Sequence, residues 1–90
     1  MEIEGRWIET EISADGSYST LSFLKDGVLL HSTHHGDMTQ VSRLTFKIEG
    51  NQIVSNQPSS PREERTTFTL DAHGQLVLTF NGLRTFYRRP

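Results

Sequence analysis

The sequence predicts an all-β domain, in which eight antiparallel strands form an up-and-down meander that closes, or nearly closes, into a barrel. Only two of the 90 residues are alanines, whereas the β-branched and aromatic residues that suit a pleated surface are abundant. Seven turn signals recur along the chain, and no stretch of a dozen residues between them has a helical period. Every connection is short enough for a hairpin, and a closed meander leaves no free sheet edge.

The turn signals delimit the strands of one domain that spans residues 1–90. They are Asp15-Gly16, Asp26-Gly27, His35-Gly36-Asp37, Gly50-Asn51, the Pro-Ser-Ser-Pro segment at 58–61, His73-Gly74 and Asn81-Gly82. The strands that they predict span residues 6–13, 18–25, 28–34, 39–49, 52–56, 64–70, 75–80 and 83–89.

The hairpin turns predict which side chains face the barrel interior, because residues opposite one another in an antiparallel pair share a face. Two-residue turns at Asn81-Gly82, Gly50-Asn51 and Asp26-Gly27 oppose Phe80 with Leu83, Ile48 with Ile53 and Phe23 with Leu30. A three-residue loop at 72–74 opposes Leu70 with Leu76. The predicted inner face consists of Leu21, Phe23, Val28, Leu30, Leu44, Phe46, Ile48, Ile53, Phe68, Leu70, Leu76, Leu78, Phe80, Leu83 and Tyr87.

Four short motifs give the chain a family resemblance. They are Gly5-Arg6-Trp7 at the first strand, Phe-Leu-Lys-Asp-Gly at 23–27, the hairpin at 48–53 and Tyr87-Arg88-Arg89 near the end. The chain resembles the compact, helix-free type of the lipocalin-like group in the calycin superfamily, although classical lipocalins are longer and carry a C-terminal helix. The resemblance implies that Trp7 lies inside the barrel and that Arg89 packs across it, so that the two residues close the barrel base.

The facing of Trp7 has two interpretations. A two-residue turn at Asp15-Gly16 places Ile8, Thr10 and Ile12 inside and Trp7 outside, beside Val77 and Phe86. A β-bulge near Ile8 or Glu9 would invert this facing and place Trp7 inside, as the resemblance implies.

Composition excludes several classes of protein. A net charge of −2 and a pI of about 6.0 give no electrostatic reason to expect nucleic acid or an anionic membrane as partner. The longest apolar runs have three residues, far fewer than the ~20 that cross a bilayer. The absence of cysteine excludes disulfides, thiolate zinc ligands and a cysteine nucleophile, and the acidic start does not resemble a signal peptide. We expect a cytoplasmic protein.

The polar residues predict neither a metal site nor catalysis. His31, His34 and His35 cluster near Asp37, but side chains alternate along a strand, so that the three imidazoles cannot converge on one ion. The pairing above directs only His34 toward the barrel mouth. No serine lies in a Gly-x-Ser-x-Gly motif, and no glycine-rich phosphate loop occurs. We therefore expect no cofactor and no enzymatic activity.

Ligand binding remains as the leading hypothesis. The resemblance implies a non-enzymatic binding protein for a small hydrophobic ligand in or at the mouth of the barrel. The candidate ligand-binding residues are Trp7, Phe23, Leu30, His34, Phe46, Phe68, Phe80 and Tyr87. The alternative is a protein-interaction module or homodimer that associates through Trp7, Val77 and Phe86. The large size of the lining residues favours a filled barrel over a cavity of ~300 Å³ or more.

Overall fold

The computed structural model, which describes residues 3–58 and 62–90, confirms the fold class. Eight strands form one closed barrel in which each strand pairs antiparallel with the next and β1 pairs with β8. The strands are β1 (Gly5–Glu9), β2 (Tyr18–Phe23), β3 (Val28–His35), β4 (Met38–Glu49), β5 (Gln52–Asn56), β6 (Glu64–Leu70), β7 (Leu76–Phe80) and β8 (Leu83–Arg88). Of the predicted turn at 58–61, residues 59–61 lie outside the described residues.

Three hairpins have the predicted register. Phe80 opposes Leu83 across Asn81 and Gly82, both of which have the positive φ angles that a tight hairpin turn requires, 51° and 80°. Ile48 opposes Ile53 across a two-residue turn, and Leu70 opposes Leu76 across a longer loop. These turns fix the inner face of β4 to β8 as the sequence predicts.

The β2–β3 hairpin has a different register, which corrects the predicted inner face of β3. The N–H of Leu24 donates to the carbonyl of Val28 at 2.9 Å, so that residues 25–27 form a three-residue loop instead of a two-residue turn. Phe23 therefore opposes Leu29, not Leu30. Because side chains alternate between the two faces, this one-residue shift places Leu30 on the outer face.

Strand β1 shows why Trp7 lies inside. The predicted two-residue turn at Asp15-Gly16 is part of a longer connection, in which the N–H of Ser13 donates to the carbonyl of Ser17 at 2.9 Å. Trp7 therefore opposes Leu21, a shift of three residues from the predicted register, and an odd shift inverts the facing of the strand. The length of the connection, and not a bulge, inverts β1. Ile12 lies beyond the end of the strand and is 67% exposed, contrary to the inner position predicted for it.

The most deeply buried side chains lie near one end of the barrel, which we call the closed end. The β2–β3, β4–β5 and β6–β7 turns lie at this end, together with the residues before β1. Its largest fully buried side chains are Trp7, Phe23, Ile3 and Leu76. The rings of Phe23 and Phe46 pack edge to face with centroids 5.1 Å apart. The other four connections lie at the opposite end, which we call the open end.

Trp7 and Arg89 lie in contact at the base of the closed end. The guanidinium carbon of Arg89 is 3.9 Å from the centroid of the Trp7 ring, and its Nη1 donates to the carbonyl of Glu4 at 2.6 Å. The indole Nε1 donates to the carbonyl of Ile3 at 2.9 Å. The buried indole therefore keeps a hydrogen-bond partner while its face is covered by a cation.

Candidate functional site

A cavity of about 410 Å³ opens at the open end of the barrel. It exceeds the ~300 Å³ at which small-molecule sites begin, so the expectation of a filled barrel was wrong. Its walls combine apolar and hydroxyl-bearing side chains. The lining residues are Leu21, Phe23, Leu29, His31, Ser42, Leu44, Ile53, Ser55, Gln57, Glu64, Thr66, Leu78, Phe80, Thr85 and Tyr87.

The cavity exists because the inner face changes character along the strands. Side chains of one face recur at every second residue, so the inner face of each strand can be followed from the closed end toward the open end. Large residues occupy the closed end, and small hydroxyl residues follow them in the cavity wall. Three strands show this step, from Leu44 to Ser42, from Ile53 to Ser55 and from Tyr87 to Thr85.

A titratable group faces the interior on β3. His31 opposes Leu21, which is buried, and it lines the cavity. Burial lowers the pKa of His31 below its ordinary value of 6.5, and the negative charge of Glu9 opposes this effect. The imidazole is therefore neutral near pH 7 and can act as both a hydrogen-bond donor and an acceptor.

Glu9 lies on the same face of the sheet as Tyr87, which it opposes across β1 and β8. Its Oε1 accepts a hydrogen bond from the backbone N–H of Ser19 at 2.9 Å. Burial, aided by the charge of Glu9, raises the pKa of Tyr87 to about 12. The carboxylate therefore acts electrostatically on two residues, His31 and Tyr87, that line the cavity.

His34 does not reach the barrel mouth, contrary to the prediction from the sequence. It stacks on Tyr18 with ring centroids 4.7 Å apart, and its ring nitrogens lie 3.3 Å from the hydroxyls of Thr20 and Thr39. The register shift in β2–β3 exchanges the roles of His31 and His34. In the part of the chain that the structure describes, no three His, Asp or Glu side chains are placed to hold a metal ion.

The predicted ligand-binding residues occupy three different environments. Phe23, Phe80 and Tyr87 line the cavity, and Phe80 is 39% exposed at its mouth. Trp7 and Phe46 belong to the buried core, and Phe68 packs against that core. Leu30 and His34 lie on the outer face. The sequence thus places three of the eight residues in the cavity wall.

The outer patch predicted for self-association is smaller than expected. Val77 and Phe86 oppose each other on the outer face and are half-buried. Trp7, the third predicted member, is only 2% exposed and lies inside the barrel. An association through this surface would therefore depend on two partly covered side chains.

Several cavity residues were not identified from the sequence. Leu29 and His31 were missed because of the register shift, and Ser42, Gln57, Glu64 and Thr66 because the inner face was not followed along each strand to the open end. Alternation along each strand supplies the signal that could have found the last four. Reading β4 outward from Leu44 leads to Ser42, and reading β6 outward from Phe68 leads to Thr66 and Glu64.

Comparison with protein-family models, with curated proteins and with solved structures found no match for this chain. None of the described residues belongs to a helix with the length and apolarity needed to cross a bilayer.

Proposed function

We propose that this protein is a lipocalin-like, non-enzymatic binding protein that holds one small, largely apolar ligand in the barrel cavity. The observation that carries the proposal is the cavity itself, which measures about 410 Å³ and opens at one end of the barrel. Ligand sites of this kind combine apolar walls with a few polar groups that orient the guest. Here Leu21, Leu29 and Leu78 supply apolar wall, and His31 supplies a polar contact.

The packing of the closed end indicates that a ligand would enter from the open end. Trp7 and its cover, Arg89, occupy the base, and the buried aromatic rings of Phe23 and Phe46 pack near it. A ligand would therefore enter past Phe80 at the open end. The contact between Arg89 and the ring of Trp7 also supports the lipocalin-like assignment. The family resemblance implies a tryptophan, in a Gly-x-Trp motif, that is covered by an arginine at the barrel base.

The proposal is tested by titrating the protein with N-phenylnaphthylamine, an uncharged dye whose fluorescence rises in apolar surroundings. We expect saturable binding at one site. Thr66→Trp places a large ring on the cavity wall and should reduce the affinity at least about tenfold, because the volume available to the dye is lost.

Thr69→Trp is the matched control, since Thr69 lies on the same strand but is exposed on the opposite face. It should bind the dye within about twofold of the unchanged protein. Absence of saturable dye binding, or equal losses in the two variants while both remain folded by circular dichroism, would contradict the cavity as the binding site.

A further inference from the structure

The charged side chain that lines the cavity is a carboxylate. Glu64 lines the cavity on β6, where it opposes Ser55 and is exposed, and its carboxylate has no ion-pair or hydrogen-bond partner among residues 3–58 and 62–90. Glu9 lies on the inner face of β1 and acts on two cavity residues. No lysine or arginine is among the described residues that line the cavity. A charged guest would therefore meet a negative potential.

The basic side chains nearby are directed elsewhere. Arg65 lies on the outer face, where its guanidinium pairs with Glu49 at 3.0 Å and with Glu63 at 3.4 Å. Arg84 opposes Thr79 on the outer face of β7 and β8, where it lines a surface groove together with Glu9, and Arg89 lies over Trp7 at the closed end. These three cations are therefore not among the described residues that line the cavity, where Glu64 supplies the charge.

We propose that the ligand is a hydrophobic amine, an apolar molecule with one ammonium group, whose cationic end lies at the cavity mouth beside Glu64. This inference rests on the proposed function and specifies the class of ligand. The apolar body would contact the leucine side chains of the wall, and the ammonium would gain an ion pair with a carboxylate that has no ion-pair partner among the described residues.

Two neighbouring groups favour a cation over an anion. Phe80 lies on the adjacent strand and is 39% exposed at the same mouth, so an aromatic ring is accessible there to a cation. His31 does not offset the carboxylates at neutral pH, because burial lowers its pKa. The cavity mouth therefore offers a carboxylate and an aromatic ring, and its described lining residues include no lysine or arginine.

The test compares decylammonium, decanol and decanoate as competitors for N-phenylnaphthylamine, the two ions below their critical micelle concentrations and decanol below its solubility limit. The three share one apolar chain and differ in the charge of the head. We expect decylammonium to bind tightest and decanoate weakest, with a difference between the two of roughly tenfold or more that shrinks as salt is added.

Glu64→Gln removes the charge at the mouth and keeps its size. It should lower the affinity for decylammonium roughly three- to tenfold, while the affinity for decanol should change by less than about twofold. Glu63→Gln is the matched control, since this adjacent carboxylate pairs with Arg65 outside the cavity, and it should preserve the preference. Glu9→Gln should also reduce the preference, and its amide oxygen can still accept the Ser19 N–H.

The outcomes separate the two proposals. If the dye and all three competitors fail to bind, the cavity is not a binding site and both proposals fall. If the dye and decanol bind but decanoate binds as tightly as decylammonium or more tightly, the binding function stands and a hydrophobic amine is excluded as the ligand class. A preference for decylammonium that survives Glu64→Gln unchanged would also overturn the inference, because the ammonium is placed beside that carboxylate.

Discussion

Gly5 occupies a backbone conformation that only glycine adopts easily, with a φ of +106°. A methyl group at this position would lie 2.6 Å from Nη1 of Arg89, the atom that donates to the carbonyl of Glu4. The guanidinium would have to move away from the Trp7 ring. We therefore expect Gly5→Ala to lower the free energy of unfolding by about 3 kcal/mol, as measured by urea denaturation.

Gly16→Ala separates the two components of this loss. Gly16 has a φ of +86°, but a methyl group there would meet no atom within 4 Å. The backbone term alone should cost about 1–2 kcal/mol. Trp7 is the only tryptophan, so its fluorescence reports the closed end and should change in Gly5→Ala only. Equal losses in the two variants would show that Gly5 is needed for its backbone angle and not for the approach of Arg89.

Tyr87 gives the stability of the barrel a dependence on alkaline pH. Its phenol has a pKa of about 12 in the folded protein, compared with 10.0 ordinarily, because burial disfavours the phenolate. The unfolded chain therefore releases this proton first. The corresponding stability is fully present below about pH 10 and is lost as the pH rises toward about 12, with a total of about 2–3 kcal/mol.

The measurement is urea denaturation at several pH values between about 9 and 11.5. Tyr87→Phe keeps the ring and removes the titrating hydroxyl, so that most of the decline in this range should disappear. An unchanged slope in the variant would show that other groups cause the alkaline loss and that the Tyr87 hydroxyl titrates alike in the folded and unfolded chain.

At the scale of the elements, turn chemistry explains which registers were predictable. Asn81-Gly82 and Gly50-Asn51 form the two-residue turns that their sequences favour, and the pairings of β4 with β5 and β7 with β8 follow from them. Asp26-Gly27 could form either a two-residue turn or the end of a three-residue loop with glycine at the left-handed position. The structure has the loop, and the local sequence did not distinguish the two.

A register error of one residue has a large effect on the site and a small one on the fold. The β2–β3 pairing survives it, because Leu29 and Leu30 are both apolar and either can face the core. The predicted positions of the histidines do not survive it, since the same shift moves His31 into the cavity and His34 to the outer face. The regular spacing of the turns was enough to predict the fold class. Predicting the site also required the length of the β2–β3 loop.

At the scale of the whole molecule, the two ends of the barrel serve different purposes. A list of inner residues suggests a filled interior, because it includes the aromatic rings without their positions along the barrel axis. In the structure, Trp7 and Phe46 lie in the core near the closed end, whereas Ser42, Ser55 and Thr85 line the cavity. The axial order of large and small residues, more than their number, determines whether an eight-stranded barrel has room for a guest.

Phe23 and Phe80 provide a test of this division within one residue type. Phe23 is 1% exposed and contacts Phe46, so Phe23→Ala should lower the free energy of unfolding by about 3–5 kcal/mol. Phe80 faces the barrel interior as predicted, but it is 39% exposed at the cavity mouth, so its substitution by alanine should cost only about 1 kcal/mol.

The same two variants should separate stability from binding. We expect Phe80→Ala to remain folded and, because it removes a ring from the mouth, to weaken the binding of N-phenylnaphthylamine several-fold. If the ring also contacts the cation, the affinity for a hydrophobic amine should fall by more than the affinity for the neutral alcohol. Urea denaturation and dye titration on the same samples give both quantities. A cavity mouth contributes little to folding, whereas a packed interior contributes along its whole length. An equal loss of stability in Phe80→Ala and Phe23→Ala would therefore show that the open end belongs to the core.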